Sequence, residues 1–338
     1  MDARIRGTVE EPRALSWSRT VARELVHRVS VAEVLLTDVL RLDETRFTAA
    51  ACWSRSHPTF PVDGRAVHHP LMVVETLRQL GIFIPLRYFG LPVDTRMLIT
   101  DVFFTTEPDA QPRACPAATE VTCRVRVTGL RTGADGATGG LRLHTEFLAD
   151  GAVFARAGGG ARFLSPERYA ALRGPFAGTR QPPASDALLR PDPARLGVPH
   201  ARDVVVGLAG EHGRALSGEH RRALPDGADG RHPRLRPPAR EVLVDAADPW
   251  HPFFFDHDTD HVPGMVLLEA ARQAAALASD GALSQPTGAR LTARRFTEFA
   301  PPARVVCVPH HRTCVFRFVQ DGQQRAFGVL HYPSLVRA

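Results

Sequence analysis

Two stretches of this chain, Pro70 to about Phe89 and Pro263 to about Ala278, carry apolar residues at helical spacing. Around them the pattern changes to short runs rich in β-branched and aromatic residues. After the first helix these runs cover 97–104, 120–130, 141–149 and 152–164. Residues 203–209 and 241–247 precede the second helix, and 289–299, 304–309, 313–320 and 324–331 follow it. Gly and Asp clusters separate the runs, as hairpin turns require. Residues 31–50 are also strand-like. One helix followed by an antiparallel meander, twice over, predicts an α+β arrangement in which each sheet wraps its helix.

The two helices belong to a repeated segment. HPTFPVDGRAVHHPLMVVETLRQ (57–79) aligns without a gap on HPFFFDHDTDHVPGMVLLEAARQ (251–273), 194 residues further on. His57 falls on His251, Glu75 on Glu269, Arg78 on Arg272 and Gln79 on Gln273. A match this long points to two copies of one domain. The predicted boundaries are 20–165 for the first, 166–201 for a linker rich in Pro, Arg and Ala, and 202–338 for the second. The polar stretch 211–240 reads as a long loop.

Composition narrows the function classes. The chain has 338 residues, a formal net charge of +6 and no lysine; all 42 basic residues are arginine. A Schiff-base mechanism is therefore closed. No nucleic-acid motif accompanies the charge, so a basic surface facing an acidic protein partner is expected instead. Five scattered cysteines, with no C-x-x-C pair, argue for a reducing cytosol and against a disulfide framework or structural zinc. No apolar run approaches the roughly 20 residues that span a bilayer. The N-terminus lacks the apolar stretch of a signal peptide. The expected location is the cytoplasm, with no membrane partner.

HVPGMVLLEAARQAAAL (261–277) resembles the helix of the acyl-carrier-protein dehydratases, which have the hot-dog fold. VHRVSVAEVLLTD (26–38), WSRSHPTF (53–60), RQLGIFIPLRYFGLP (78–92) and FFDHDTDHVPGMVLLEAARQAA (254–275) resemble, more closely, the A-factor biosynthesis (AfsA-like) family of tandem hot-dog proteins. That resemblance implies two hot-dog domains packed as a pseudo-dimer. It also implies transfer of a β-ketoacyl group from acyl carrier protein or coenzyme A to dihydroxyacetone phosphate, the first step toward γ-butyrolactone or furan signals. No cofactor is implied. A dehydratase, a thioesterase and a non-catalytic acyl-binding protein are alternatives, because fold does not fix reaction. Whether the chain also forms a homodimer is left open.

Transfer to an alcohol needs a general base beside the thioester. Glu75 and Glu269 are the candidates, since apolar surroundings would raise their pKa values while Arg78 and Arg272 oppose the shift. A plain i,i+3 ion pair is the competing reading. Arg272 has a second expected role, gripping the substrate phosphate, with Arg78 as a further substrate contact. The free N–H groups around Gly264 and Met265 could hold an oxyanion. By analogy with the dehydratases, His257 would meet Glu75 across the interface, and Asp63 would meet Glu269. Arg294 and Arg295 are read as strand residues suited to phosphate. His57, His68, His69, His251 and His261 are expected to be structural, and His257, Asp258, Asp260 and His261 only superficially resemble metal ligands. Gly158, Gly159 and Gly160 lie between strand-like runs and are read as a bulge or turn.

Overall fold

The computed structural model describes residues 13–62, 67–113, 118–133, 136–210, 240–257 and 259–333. In the first half, β1 (Leu36–Arg41) and β2 (Arg46–Ser54) precede α1 (Leu71–Tyr88). The meander β3 (Arg96–Thr106), β4 (Ala118–Thr132), β5 (Thr138–Ala149) and β6 (Ala152–Leu164) follows. A connecting stretch carries α2 (Pro166–Arg173), β7 (Leu188–Leu189) and α3 (Pro193–Leu196). The second half has β8 (Val206–Ala209), β9 (Val242–Val244), α4 (Gly264–Ala278), β10 (Gly288–Ala293), β11 (Arg304–His310), β12 (Thr313–Gln320) and β13 (Gln323–His331).

The described strands form one antiparallel sheet in the order β1-β2-β4-β5-β6-β3-β10-β13-β12-β11-β9-β8-β7. Apart from β7, this order is a palindrome about the β3–β10 pair. Each strand of the first half has its counterpart at the mirrored place in the second. The seam is a regular ladder in which Val102 faces Leu291 and Phe103 faces Arg290. The expected pair of domains is therefore joined edge to edge, which removes two open sheet edges at once.

Both helices pack against strands of this sheet and are buried nearly all round. On α1 the buried set includes Met72, Leu80 and Ile84 and also Glu75, Thr76 and Gln79. On α4 it includes Val266, Ala270 and Ala274 and also Glu269, Arg272 and Gln273. A helix that is apolar on every side belongs inside the protein. Its polar residues must then find partners there, because a lone buried polar group costs about 1–3 kcal/mol.

Several elements differ from expectation. Residues Val31–Glu33 and Ala201–Asp203 form 3-10 turns, so the runs expected from 31 and from 203 become strand only at Leu36 and Val206. The run expected to extend to 299 stops at Ala293, where Arg294 and Arg295 both donate their N–H to Arg325 O. Gly158, Gly159 and Gly160 lie within β6 itself, and the bulge is opposite them at Thr100, between Ile99 and Asp101 of β3. A Cβ at Gly159 would stand 2.3 Å from Asp101 O, so close strand contact excludes any side chain there. The predicted long loop lies almost entirely outside the described residues.

Candidate active site

The repeated Glu-x-x-Arg-Gln of each helix is wired to the backbone in the same way. Gln79 accepts from the Leu35 and Leu36 N–H groups at 2.9 and 3.2 Å. Its amide donates to Glu33 O and to Glu75 Oε1, both at 2.7 Å. Gln273 accepts from Val205 N–H at 3.0 Å and donates to Asp203 O and Glu269 Oε1 at 2.9 and 2.8 Å. Arg78 reaches Val26 O at 3.3 Å, and Arg272 reaches Leu196 O at 2.8 Å.

These contacts expose a second internal match. Val26–Leu36 corresponds to Leu196–Val206, with a left-handed residue at His27 (φ 48°) and Gly197 (φ 64°) and a 3-10 turn after each. The separation here is 170 residues rather than 194, because extra chain in the second half falls between β8 and β9. A gap-free alignment misses it.

The two histidines that open the repeat are structural, as expected. His57 Nδ1 accepts from the Thr59 and Phe60 N–H groups, and His251 Nδ1 from those of Phe253 and Phe254. That fixes the proton on Nε2 in both rings. His251 Nε2 donates to Asp203 at 2.9 Å, and His57 Nε2 stands 3.3 Å from Glu33. His68 pairs with Thr119 at 2.8 Å, and burial together with the neighbouring His57 lowers its pKa to about 4.

Within this shared frame the two acids differ. Glu75 has no exposed surface and accepts four hydrogen bonds: one from Arg28, two from Arg78 and one from Gln79. Burial pushes its pKa up, but Arg28 and Arg78 outweigh it and hold the carboxyl at about 2. The expected rise in basicity is therefore reversed at Glu75. Three of these bonds converge on Oε1 and one reaches Oε2, so two guanidiniums enclose and neutralise the Glu75 carboxylate. Glu269 accepts three, two from Arg272 and one from Gln273.

The missing contact at Glu269 traces to one position. Arg28 has Val198 as its counterpart. Where Arg28 fills the space beside Glu75, donating also to Phe253 O at 2.8 Å and stacking over the Phe253 ring, the second half has a cavity of about 390 Å³. Glu269 and Val198 are in its wall, with Thr59, Phe60 and His69 of the first half and Asp203 of the second. The Thr59 hydroxyl in this wall is buried and has no partner among the described residues. A second cavity of about 300 Å³ lies beside the first turn of α4, lined largely by Val244, Phe255, Val262, Val266 and Phe299.

The other expected site residues divide. His257 lies within electrostatic reach of Arg78, Arg28, His27 and Glu75, without a hydrogen bond to Glu75 among the described residues. The residue keeps exposed surface, while the protein packed around the ring desolvates it. That desolvation, with Arg78 and Arg28 close by, lowers its pKa to about 3. Gly264 and Met265 form the first turn of α4, ahead of the first ladder bond from Leu267 N–H to Pro263 O. A Cβ at Gly264 would stand 3.7 Å from Ile99 of β3, and neither residue lines the Glu269 cavity. Asp63 and Asp258 lie outside the described residues.

Two phosphate roles need correction. Arg272 is buried, and its donors go to Glu269, Leu196 O and Ser284 O, which leaves no open fork for a phosphate. Arg295 is exposed in the turn after β10 and lines neither cavity. Asp260 and His261 are bound up with Tyr169, and Arg173 spans Asp260 and Glu298, locking α2 to the loop before α4. Among the described residues no group of three or more His, Cys, Asp or Glu converges on a metal-sized site. No helix among them is long and apolar enough to cross a membrane.

The A-factor biosynthesis hotdog domain (AfsA) family model matches residues 9–165 and 239–297. A relative from Streptomyces virginiae, 2-oxo-3-(phosphooxy)propyl 3-oxoalkanoate synthase, is 34% identical over 296 residues, 86% of this chain and 87% of that one. A protein of the same name from Streptomyces coelicolor is 30% identical over 288 residues, 83% of this chain and 80% of that one. Among solved structures, an acyl-ACP thioesterase from Bacteroides thetaiotaomicron aligns with a TM-score of 0.46 and 10% identity, over 85% of this chain and 98% of that chain. With the family model spanning more than half its length, the chain belongs to the A-factor biosynthesis hotdog family.

Proposed function

We propose that this protein is an acyltransferase that joins a β-ketoacyl group, delivered as a thioester on acyl carrier protein or coenzyme A, to the hydroxyl of dihydroxyacetone phosphate. The product is the phosphorylated 3-oxoalkanoate ester for which the synthases from Streptomyces are named. One observation carries the site assignment: Glu269 is a buried carboxylate, neutralised by Arg272 with no counterpart of Arg28 beside it, in the wall of a cavity between the halves.

Glu269 is the general base of this reading. Its carboxylate takes the proton of the attacking hydroxyl as the new C–O bond forms at the thioester carbonyl. Collapse of the tetrahedral intermediate breaks the C–S bond, and the proton passes to the departing thiolate. A positioned base contributes about 10²- to 10⁴-fold. Arg272 and Gln273 hold the carboxylate in one orientation, so little reorganisation accompanies the step. The Thr59 hydroxyl supports a polar ligand, since a substrate oxygen in the cavity would give it the partner it lacks among the described residues.

The test is to incubate the purified protein with a β-ketoacyl thioester, with and without dihydroxyacetone phosphate, following free thiol and product masses. Thiol release that depends on dihydroxyacetone phosphate, with a phosphorylated ester, is the expected result. Release without it, giving the free acid, would make the protein a hydrolase. Running the donor on acyl carrier protein and on coenzyme A in parallel identifies the carrier.

A further inference from the structure

We infer that Arg28 plugs the first of two equivalent acyl sites, so that each chain binds one acyl thioester rather than two. The inference rests on reading the Glu269 cavity as the acyl site.

The argument is one of position. The two halves repeat the same frame down to individual hydrogen bonds, so each feature of the open site has an address in the other half. Val198 of the open site corresponds to Arg28, Glu269 to Glu75, and Thr59 to Phe253. In the open site the first and third of these line the cavity together with Glu269. In the other half the Arg28 guanidinium crosses that same space. Its Nε and Nη2 reach Glu75 Oε1 at 3.1 and 2.9 Å, and its Nη1 reaches the Phe253 carbonyl at 2.8 Å. The side chain is 2% exposed, and Asp256 stands 3.8 Å away on the far side. One arginine thus occupies the volume, gives the acid a second counter-charge and ties the wall to the facing half.

The anchorage makes Arg28 a fixture rather than a gate. Asp256 also accepts the Val29 and Ser30 N–H groups at 2.7 and 3.0 Å, so the backbone that carries Arg28 is itself held from the second half. The position of Asp256 is occupied by Val62 in the other half, so the open site lacks this anchor as well.

The decisive experiment exchanges the two residues. The probe is a non-cleavable thioether analogue of a β-ketoacyl pantetheine, with stoichiometry read by titration calorimetry and native mass spectrometry. The wild-type chain should bind one molecule. Val198→Arg should bind at least tenfold more weakly with an unchanged circular dichroism spectrum, because its guanidinium meets Glu269 and the Thr59 carbonyl as Arg28 meets their counterparts. Arg28→Val should bind two. Two molecules on the wild-type chain, or undiminished binding by Val198→Arg, would overturn the inference even if Arg28→Val fails to fold. The functional reading fails separately: a chain that binds one probe but forms no phosphorylated ester keeps the inference and loses the reaction. A chain that forms the ester but binds two probes does the reverse, and a wild-type chain that binds none loses both.

Discussion

The two halves of this protein use the same helix motif for different ends. In each, a glutamate is held by an arginine one turn on and a glutamine beyond it, and the glutamine staples the helix to a neighbouring backbone. On α1 a second arginine completes the cluster, and the glutamate becomes a sealed ion-pair centre. On α4 that arginine is absent and a cavity reaches the acid. Duplication supplied two copies of one polar scaffold, and a single side chain determines which copy is open. A buried carboxylate is therefore not by itself a sign of chemistry; a cavity that reaches it is.

The largest effect that can test this contrast is on turnover. Glu269→Gln should lower formation of the phosphorylated ester by about 10²- to 10⁴-fold, measured per folded molecule. Glu269→Asp keeps the charge and recovers stability but draws the base back, so its rate should stay well below wild type. Ester formation by Glu269→Gln within threefold of wild type would place the base elsewhere.

Next comes the sealed centre. Glu75→Gln leaves two guanidiniums, Arg28 and Arg78, without their counter-charge, and removing one partner of a buried pair costs about 3–5 kcal/mol. Urea denaturation should show that loss. A variant that unfolds at the wild-type midpoint would mean Glu75 is not the hub described here.

The pH dependence of stability sharpens the same point. The folded Glu75 carboxyl titrates at about 2, below its ordinary value of 4.5. Between those values the unfolded state binds the extra proton, so stability falls as pH falls, and the contribution is complete above about 4.5. Acid unfolding of the wild type should be steeper over this interval than that of Glu75→Gln. Parallel curves would remove Glu75 from the account of acid sensitivity.

The smallest predicted effect is at the cavity wall. Thr59→Val should weaken turnover by about 2- to 12-fold, the worth of one hydrogen bond to substrate. It should leave stability unchanged or improved, since it removes a buried hydroxyl that has no partner among the described residues. Lowered stability with normal turnover would mean the hydroxyl serves the fold.

Much of the fold was legible because its signals are local. Helical spacing over 70–89 and 263–278 and the alternating runs after each gave the elements, and the match of 57–79 on 251–273 gave the duplication. Boundaries slipped where a 3-10 turn runs directly into a strand, as at Val31–Glu33 and at Asp203, the last residue of the second such turn. The polar pairs Glu75–Arg78 and Glu269–Arg272 were visible, since i,i+3 spacing brings such residues together on any helix. Arg28 was not. It lies 47 residues before Glu75, and its counterpart Val198 is displaced from the main repeat by the longer β8–β9 connection. The signal that could have found it is VHRVSVAEVLL against LGVPHARDVVV, a match with little identity but the same turn chemistry.

The sequence alone determined that the chain is built twice from one helix-and-meander unit, and that each unit carries an acid, an arginine and a glutamine on one buried helix. Those are properties of spacing and composition. Which acid is enclosed by two arginines and which borders a cavity was decided only in three dimensions. Partners from distant parts of the chain fill a carboxylate's acceptor positions, and only packing across the interface shows whether Arg28 or a cavity stands beside it.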